Sequence, residues 1–321
     1  MGQKISYVIS FLLYYLIVLP ISWLPMGILY LISDLLYLIL IYVFPYREKL
    51  IRKNIHHSFP NTSHKERVAI KRKFYRHFTD LIVEGIKNIS ISENELRKRF
   101  KISNPELLKD LYKKNKNVLL VAGHYNNWEW LITSQNFLFR HQAVGIGMPI
   151  SNLFFNKKIN ERRARFGMKI LHPNHIHEFY AIQQPKPYAT LILSDQSPGN
   201  SEKSFWMNFL NQPTAVLFGC ELIAHQYDQA VVYFTLSKPK RGHYLMHLEL
   251  ISESPKTLNW GEITMQHTHL LERDIKKHPE FWLWSHNRWK RKIPKDIELL
   301  RTTQKENFNR KFNYFNSQNP T

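Results

Sequence analysis

The chain has 321 residues, 44 % hydrophobic and 14 % aromatic, with a formal net charge of +20. That length suits one large domain or two small ones with a sizeable core, and the composition excludes a disordered, collagenous or low-complexity chain. The single cysteine, Cys220, excludes an intramolecular disulfide and a four-cysteine zinc site, and the basic excess points either to nucleic acid or to an anionic membrane and anionic substrates.

The charge is unevenly spread. Residues 1–46 carry only Lys4 and Asp34 as charged groups, so the whole excess falls on the rest. Pro20 and Pro25 divide this segment into two candidate apolar helices, Ile5–Leu19 and Met26–Phe44. The first is short for a full span of about 20 residues and the second is adequate. No small-residue cleavage site follows a short apolar core, so the segment reads as a retained anchor, a single span or a shallow hairpin, rather than a signal peptide, with a buried hairpin packed against the domain as the alternative. Tyr14, Tyr15, Trp23, Tyr30, Tyr37 and Tyr42 suit a lipid–water boundary. Residues 47–76 then carry ten Lys and Arg against Glu48 and Glu66. A juxtamembrane basic cluster favours the cytoplasmic side and anionic lipid headgroups. Val68, Phe74, Tyr75, Phe78, Leu81 and Ile82 recur there at helical spacing, which makes a lipid-facing basic helix or a solvated helix face.

The remainder reads as an α/β domain, with apolar strands at Asn117–Ala122, Tyr188–Leu193, Ala230–Leu236 and His243–Ile251. Helical segments at Trp128–Phe139, Leu153–Phe166, Thr214–His225 and Thr264–His278 alternate with them. This predicts a central mixed, mostly parallel sheet flanked by helices. The expected organisation is an anchor over 1–46, a catalytic domain over 47–300 and a polar, Asn-rich tail over 301–321, mobile or a surface helix, with no function assigned.

Chemistry concentrates at Val121-Ala-Gly-His124-Tyr-Asn-Asn-Trp-Glu129-Trp130. A strand ends at Gly123 and a helix begins near Asn126 or Asn127, either of which can cap it. His124 then lies at a strand's C-terminal end and Glu129 in the first helical turns. The bend can bring the carboxylate onto the imidazole, fixing one ring nitrogen and leaving the other as general base. Exposed amides at the helix start offer an oxyanion or phosphate site. The plain alternative is a histidine satisfied at a strand end beside an exposed glutamate. Despite 16 histidines, the chain has no H-E-x-x-H or His/Cys quartet, and neither G-x-S-x-G, a P-loop nor G-x-G-x-x-G occurs. No metal and no cofactor is expected.

Six blocks in order resemble the bacterial lipid A late acyltransferases, of the lysophospholipid-acyltransferase-like superfamily. Arg52-Lys-Asn54…Phe59-Pro60 resembles the family's R-x-N-L…F-P segment, and Gly-His124-Tyr-Asn-Asn-Trp-Glu129 its H-x4-D/E motif. Arg163-Ala-Arg165-Phe-Gly167 and Ser194-Asp195-Gln196-Ser-Pro198 resemble its arginine–glycine block and aspartate turn. Asn208-Phe209-Leu-Asn-Gln-Pro213…Gly219 and Pro279-Glu-Phe-Trp282-Leu-Trp284-Ser-His286-Asn-Arg288-Trp289-Lys290 resemble its last two blocks. The resemblance covers roughly residues 5–292.

It implies a glycerolphosphate-acyltransferase-like fold at the inner membrane, with the catalytic domain on the cytoplasmic face. It further implies transfer of a fatty acyl chain from acyl carrier protein or coenzyme A to a hydroxyl of a lipid A precursor or related glycolipid. His124 is then the base and Glu129 its orienting partner. Asn127, Arg163, Arg165, Asp195 and Arg288 are candidate substrate-binding residues, the arginines because guanidinium groups grip phosphate bidentately. A solvated helix face for Arg163 and Arg165, a structural cap for Asp195 and a surface role for Arg288 are the alternatives. Trp282, Trp284 and Trp289 read as anchors. Phe209-Leu-Asn and Gln196-Ser197-Pro198 depart from the family's Phe-Phe-Gly and from the second acidic residue of the aspartate turn, so acceptor and chain length stay open. Two other readings remain: the same fold acylating an amino-acid-containing or other phospholipid, and a non-catalytic, membrane-anchored nucleic-acid-binding protein.

Overall fold

The fold is that of a computed structural model describing residues 2–317, with side chains described over 6–312. Helix formation in the apolar segment continues through Pro20 to Trp23, further than the sequence predicts. The π-helical turn Tyr14–Val18 explains this: it widens the helix just where the proline ring would press on the preceding turn. The break falls at Pro25, whose preceding residue Leu24 is extended (ψ 147°). A second helix then runs from Met26, closing in another π-helical turn at Ile39–Val43. Ser6–Trp23 and Met26–Val43 are each long and apolar enough to cross a membrane.

Both helices are docked by one face. Tyr7, Phe11, Tyr14 and Tyr15 surround Phe154, and Asn152 donates to Ser10. The polar groups of the second helix turn inward onto the helix His64–Lys87: Ser33 donates to Asp80, Tyr30 to Glu84, and Asp34 pairs with Arg76 and Arg241. The outward residues Leu16, Leu31 and Tyr42 are exposed. The helix Glu48–Ser58 follows, and His64–Lys87 is opened by a reciprocal capping box between Ser63 and Glu66.

The core is a seven-stranded sheet in the order β1-β9-β8-β2-β5-β3-β4, comprising β1 (Phe100–Ile102), β2 (Val118–Ala122), β3 (Gln142–Ile146), β4 (Lys169–Leu171), β5 (Tyr188–Leu193), β8 (Ala230–Lys240) and β9 (His243–Ser252). All neighbours are parallel except β8 and β9, which bears out the mixed, mostly parallel sheet. β2 is buried along its whole length, as a central strand covered on both faces must be. The helices Trp128–Leu138, Leu153–Ala164 and Glu262–Lys277 flank the sheet.

The segment predicted as a helix from Thr214 begins as a strand. β6 (Phe205–Phe209) and β7 (Gln212–Val216) form an antiparallel hairpin, turned at Leu210 and Asn211 with φ of 50° and 61°, and the helix starts only at Gly219. The helix Ile297–Ser317 begins before the expected polar tail and runs into it, with Phe308 buried against Phe218 and His225. Asn319 lies outside the described residues.

Candidate active site

Two parallel neighbours build the site. β2 and β5 are in register from Val118↔Ala189 to Ala122↔Leu193, and Ser194 N–H donates to the Ala122 carbonyl as the strands end. The residues just beyond, His124 and Asp195, therefore emerge side by side at the strands' C-terminal ends, where ligands bind in open α/β sheets. Gly123 lets them meet: a Cβ there would lie 2.6 Å from a Leu271 methyl and 3.0 Å from Asp195 Cγ.

His124 Nδ1 is 2.6 Å from Asp195 Oδ1, and the other oxygen, Oδ2, accepts from Trp282 Nε1 at 2.8 Å. An ionised carboxylate only accepts, so Nδ1 carries the proton and Nε2 the lone pair. The Gln196 side-chain amide, 3.3 Å from Nε2, agrees with that tautomer by donating to it. Burial pushes the Asp195 carboxyl up, but His124 and the Trp282 indole outweigh it and hold the group at about 2, ionised at neutral pH. Trp128 packs edge-on against the imidazole.

The contact expected between His124 and Glu129 is not formed. Glu129 sits in the first turn of the helix Trp128–Leu138; Arg163 grips both of its oxygens, and Arg162 shares Oε2. Burial opposes its ionisation; the two guanidinium groups, helped by His124 nearby, bring the carboxyl down to about 2. Glu129 thus fixes a cationic wall beside the imidazole, and Asp195, expected on the substrate, is the imidazole's partner.

Three other candidates face the protein instead of the opening. Asn127 is buried, caps the helix through Trp130 N–H and donates to Glu84 at 2.6 Å. Arg165 donates to the Ile89 carbonyl and lies over Phe166. Arg288 is 2 % exposed and donates to the Ala215 carbonyl, tying the closing segment to the β6–β7 hairpin. Burial lowers it to about 10, still cationic at neutral pH. Arg163 alone of the proposed arginines lines the opening with His124.

That opening is a groove of about 430 Å³, in the range of small-molecule pockets. His124, Gln196 and Arg163 mark its polar end; Ile132, Ile146, Ile159, Ile170, Leu191 and Leu193 are among its apolar walls. Its rim includes the exposed Met148 and Ile150, a few residues before Asn152 and Phe154, which hold the first apolar helix. Such a groove suits a hydrocarbon chain with a reacting group at the histidine. Among the described residues no three His, Cys, Asp or Glu side chains converge as a metal site. The residues that sequence reasoning missed were Arg162, Trp282 as a partner of Asp195, and Gln196 as a partner of the base. For Trp282 and Gln196 the signal was present only in the motif blocks, with nothing to pair one block with another; Arg162 stands just before its block.

A family model for bacterial lipid A biosynthesis acyltransferases matches residues 3–291. The chain belongs to this family. It is similar to the lipid A biosynthesis palmitoleoyltransferase of Escherichia coli (strain K12) and to a lipid A biosynthesis acyltransferase of Shigella flexneri. Each is 22 % identical over 283 residues, which cover 84 % of this chain and 91 % of the relative. The chain is an acyltransferase, and the two apolar helices account for its association with a membrane.

Proposed function

We propose that this acyltransferase moves a fatty acyl group from a thioester, on acyl carrier protein or coenzyme A, to a hydroxyl of a lipid A precursor at the cytoplasmic face of the inner membrane. The observation that carries the mechanism is the pair formed by buried Asp195 and half-buried His124 at 2.6 Å, with His124 Nε2 at the polar end of an apolar groove. The acceptor hydroxyl displaces the Gln196 amide from Nε2 and gives its proton to that nitrogen as its oxygen attacks the thioester carbonyl. Asp195 balances the imidazolium that forms. Arg163, held by Glu129, supplies positive charge where the oxyanion develops. The carbon–sulfur bond then breaks, and the proton passes from Nε2 to the leaving thiolate. No acyl-enzyme is needed. The ten basic residues of 47–76 support the cytoplasmic orientation.

Lipid mass spectrometry of a strain lacking the gene, complemented with wild type or His124→Ala, tests this. The expected result is an under-acylated lipid A that wild type restores and His124→Ala does not. Unchanged lipid A overturns the reading, and an altered amino-acid-containing lipid in its place transfers it to the other acceptor class.

A further inference from the structure

A second concavity lies away from the catalytic groove, between the helices Glu48–Ser58 and His64–Lys87, with a volume of about 490 Å³. Arg52, Lys53, Arg67 and Lys71 bring permanent positive charge to it, and His56, His57 and His64 add imidazoles. Among the described residues no acidic side chain lines it. Glu48, at the start of the first helix, is shared between Lys71 and Arg52, one carboxylate for two cations. Among the described residues Arg67 donates to the neutral carbonyls of Phe59 and Pro60, which fix its guanidinium without neutralising it. Among the described residues Lys53, His56, His57 and His64 have no carboxylate within ion-pair distance.

Ile55 and Val68 give the cleft an apolar floor. The helix Glu48–Ser58 follows the end of the second apolar helix, at Val43, after a few residues. The cleft therefore sits where a chain leaving hydrocarbon meets the polar layer. Its size suits a small headgroup, whereas a stable protein partner needs about 800 Å² of surface on each side. Converging guanidinium, ammonium and imidazole donors over an apolar floor match a phosphate ester that carries an apolar body.

We propose that this cleft is a binding site for a phosphate ester, filled by the headgroup of an anionic membrane lipid and separate from the acceptor and donor sites. The inner face of the helix Glu48–Ser58 already braces the catalytic end: Asn54 donates to the carbonyls of Trp284 and His286, and His286 Nε2 accepts from Ser197 N–H. A headgroup in the cleft thus grips the outer side of a helix whose inner side supports the Asp195 turn.

The test uses the full chain in neutral maltoside micelles, titrated calorimetrically with dihexanoyl phosphatidylglycerol, dihexanoyl phosphatidylcholine and inorganic phosphate. The variants are Arg52→Glu/Lys53→Glu in the cleft and, as a control of equal charge change, Lys109→Glu/Lys113→Glu on the exposed helix Glu106–Lys113. The expected result is saturable phosphatidylglycerol binding that the cleft variant weakens by about tenfold or more and the control leaves within about twofold, with phosphatidylcholine weaker. Equal losses in both variants overturn the site, since they reduce it to bulk charge. Inorganic phosphate binding the cleft as tightly as phosphatidylglycerol overturns the lipid assignment. So does phosphatidylglycerol binding kept in full by the cleft variant. All these readouts are independent of acyl transfer, so failure of the catalytic proposal leaves them interpretable.

Discussion

Asp195→Asn is the sharpest test of the site. Asp195 accepts two donors, His124 Nδ1–H on one oxygen at 2.6 Å and Trp282 Nε1–H on the other at 2.8 Å. Asparagine has one oxygen and one NH2 group, so one of those donors must face another donor. If the amide oxygen stays on Trp282, the imidazole turns to the tautomer with Nε2 protonated and Nδ1 as acceptor, and the base is lost from the groove. If it turns to His124, the buried indole N–H is orphaned and the carboxylate charge is gone in either case. The carboxyl is held at about 2 instead of 3.8, which corresponds to roughly 2–3 kcal/mol in favour of the ionised form at neutral pH. Those same contacts act on the imidazolium in the transition state. General-base assistance is worth about 10²–10⁴ in rate, so kcat/KM should fall by about 10³, equivalent to about 4 kcal/mol.

The assay is acyl transfer by purified full-length chain in mixed micelles, with the thermal midpoint measured in parallel. A variant that keeps its midpoint within a few degrees yet loses about a thousandfold in kcat/KM fits the pair. A fall of less than about tenfold in a folded variant refutes the Asp195–His124 mechanism.

Other consequences follow from the same geometry. Glu129 has a depressed carboxyl, about 2 against 4.5, so its contribution is fully present above about pH 4.5 and is lost as pH falls towards 2. Glu129→Gln should therefore flatten the acid limb of the stability curve over that window and cost about 3 kcal/mol at neutral pH by leaving Arg162 and Arg163 uncompensated; an unchanged denaturant midpoint at pH 7 contradicts this. Gly123→Ala should cost about 1–3 kcal/mol, because the new Cβ would sit 2.6 Å from Leu271 and 3.0 Å from Asp195 Cγ. Adding Leu271→Ala removes the first clash only, so any activity recovered fully by the double variant, in kcat/KM, argues against the Asp195 approach. Arg288→Lys should lower the thermal midpoint while KM for the lipid acceptor stays within about twofold, since Arg288 bonds Ala215 inside the protein; a raised KM with an unchanged midpoint would put the residue on substrate.

The parts of the fold legible in the sequence were those set by local patterning. The apolar runs that became β2, β5, β8 and β9 carry their own signal, as does His124 at a strand end followed by the capping Asn127. The pairing of blocks was not legible. His124 meets Asp195 because β2 lies beside β5 in register, a fact of strand order across 71 residues of separation. Glu129, five residues from the histidine, was the natural partner by proximity in sequence, but the helix Leu153–Ala164 packs its two arginines against that carboxylate first. The β6–β7 hairpin was missed because the helical segment was placed from Thr214, whereas the turn at Leu210 and Asn211 closes a strand pair that runs to Val216.

The basic excess can now be divided by what each cation touches. Arg162 and Arg163 are tied to Glu129, Lys238 and Arg241 to Asp80 and Asp34, and Arg288 is sunk in the core. These charges secure the site and dock the second apolar helix; they leave little free positive field at the groove beyond Arg163. The cations along 47–76 are different: among the described residues only Glu48, Glu66 and the inward Asp34 stand against them in sequence or space. Pairwise neutralisation therefore consumes the charge where catalysis is proposed and spares it along the strip that follows the apolar helices. The strip thus carries +8 of the chain's +20, and in the proposed orientation salt should weaken binding to anionic membranes far more than it perturbs the buried ion pairs of the site.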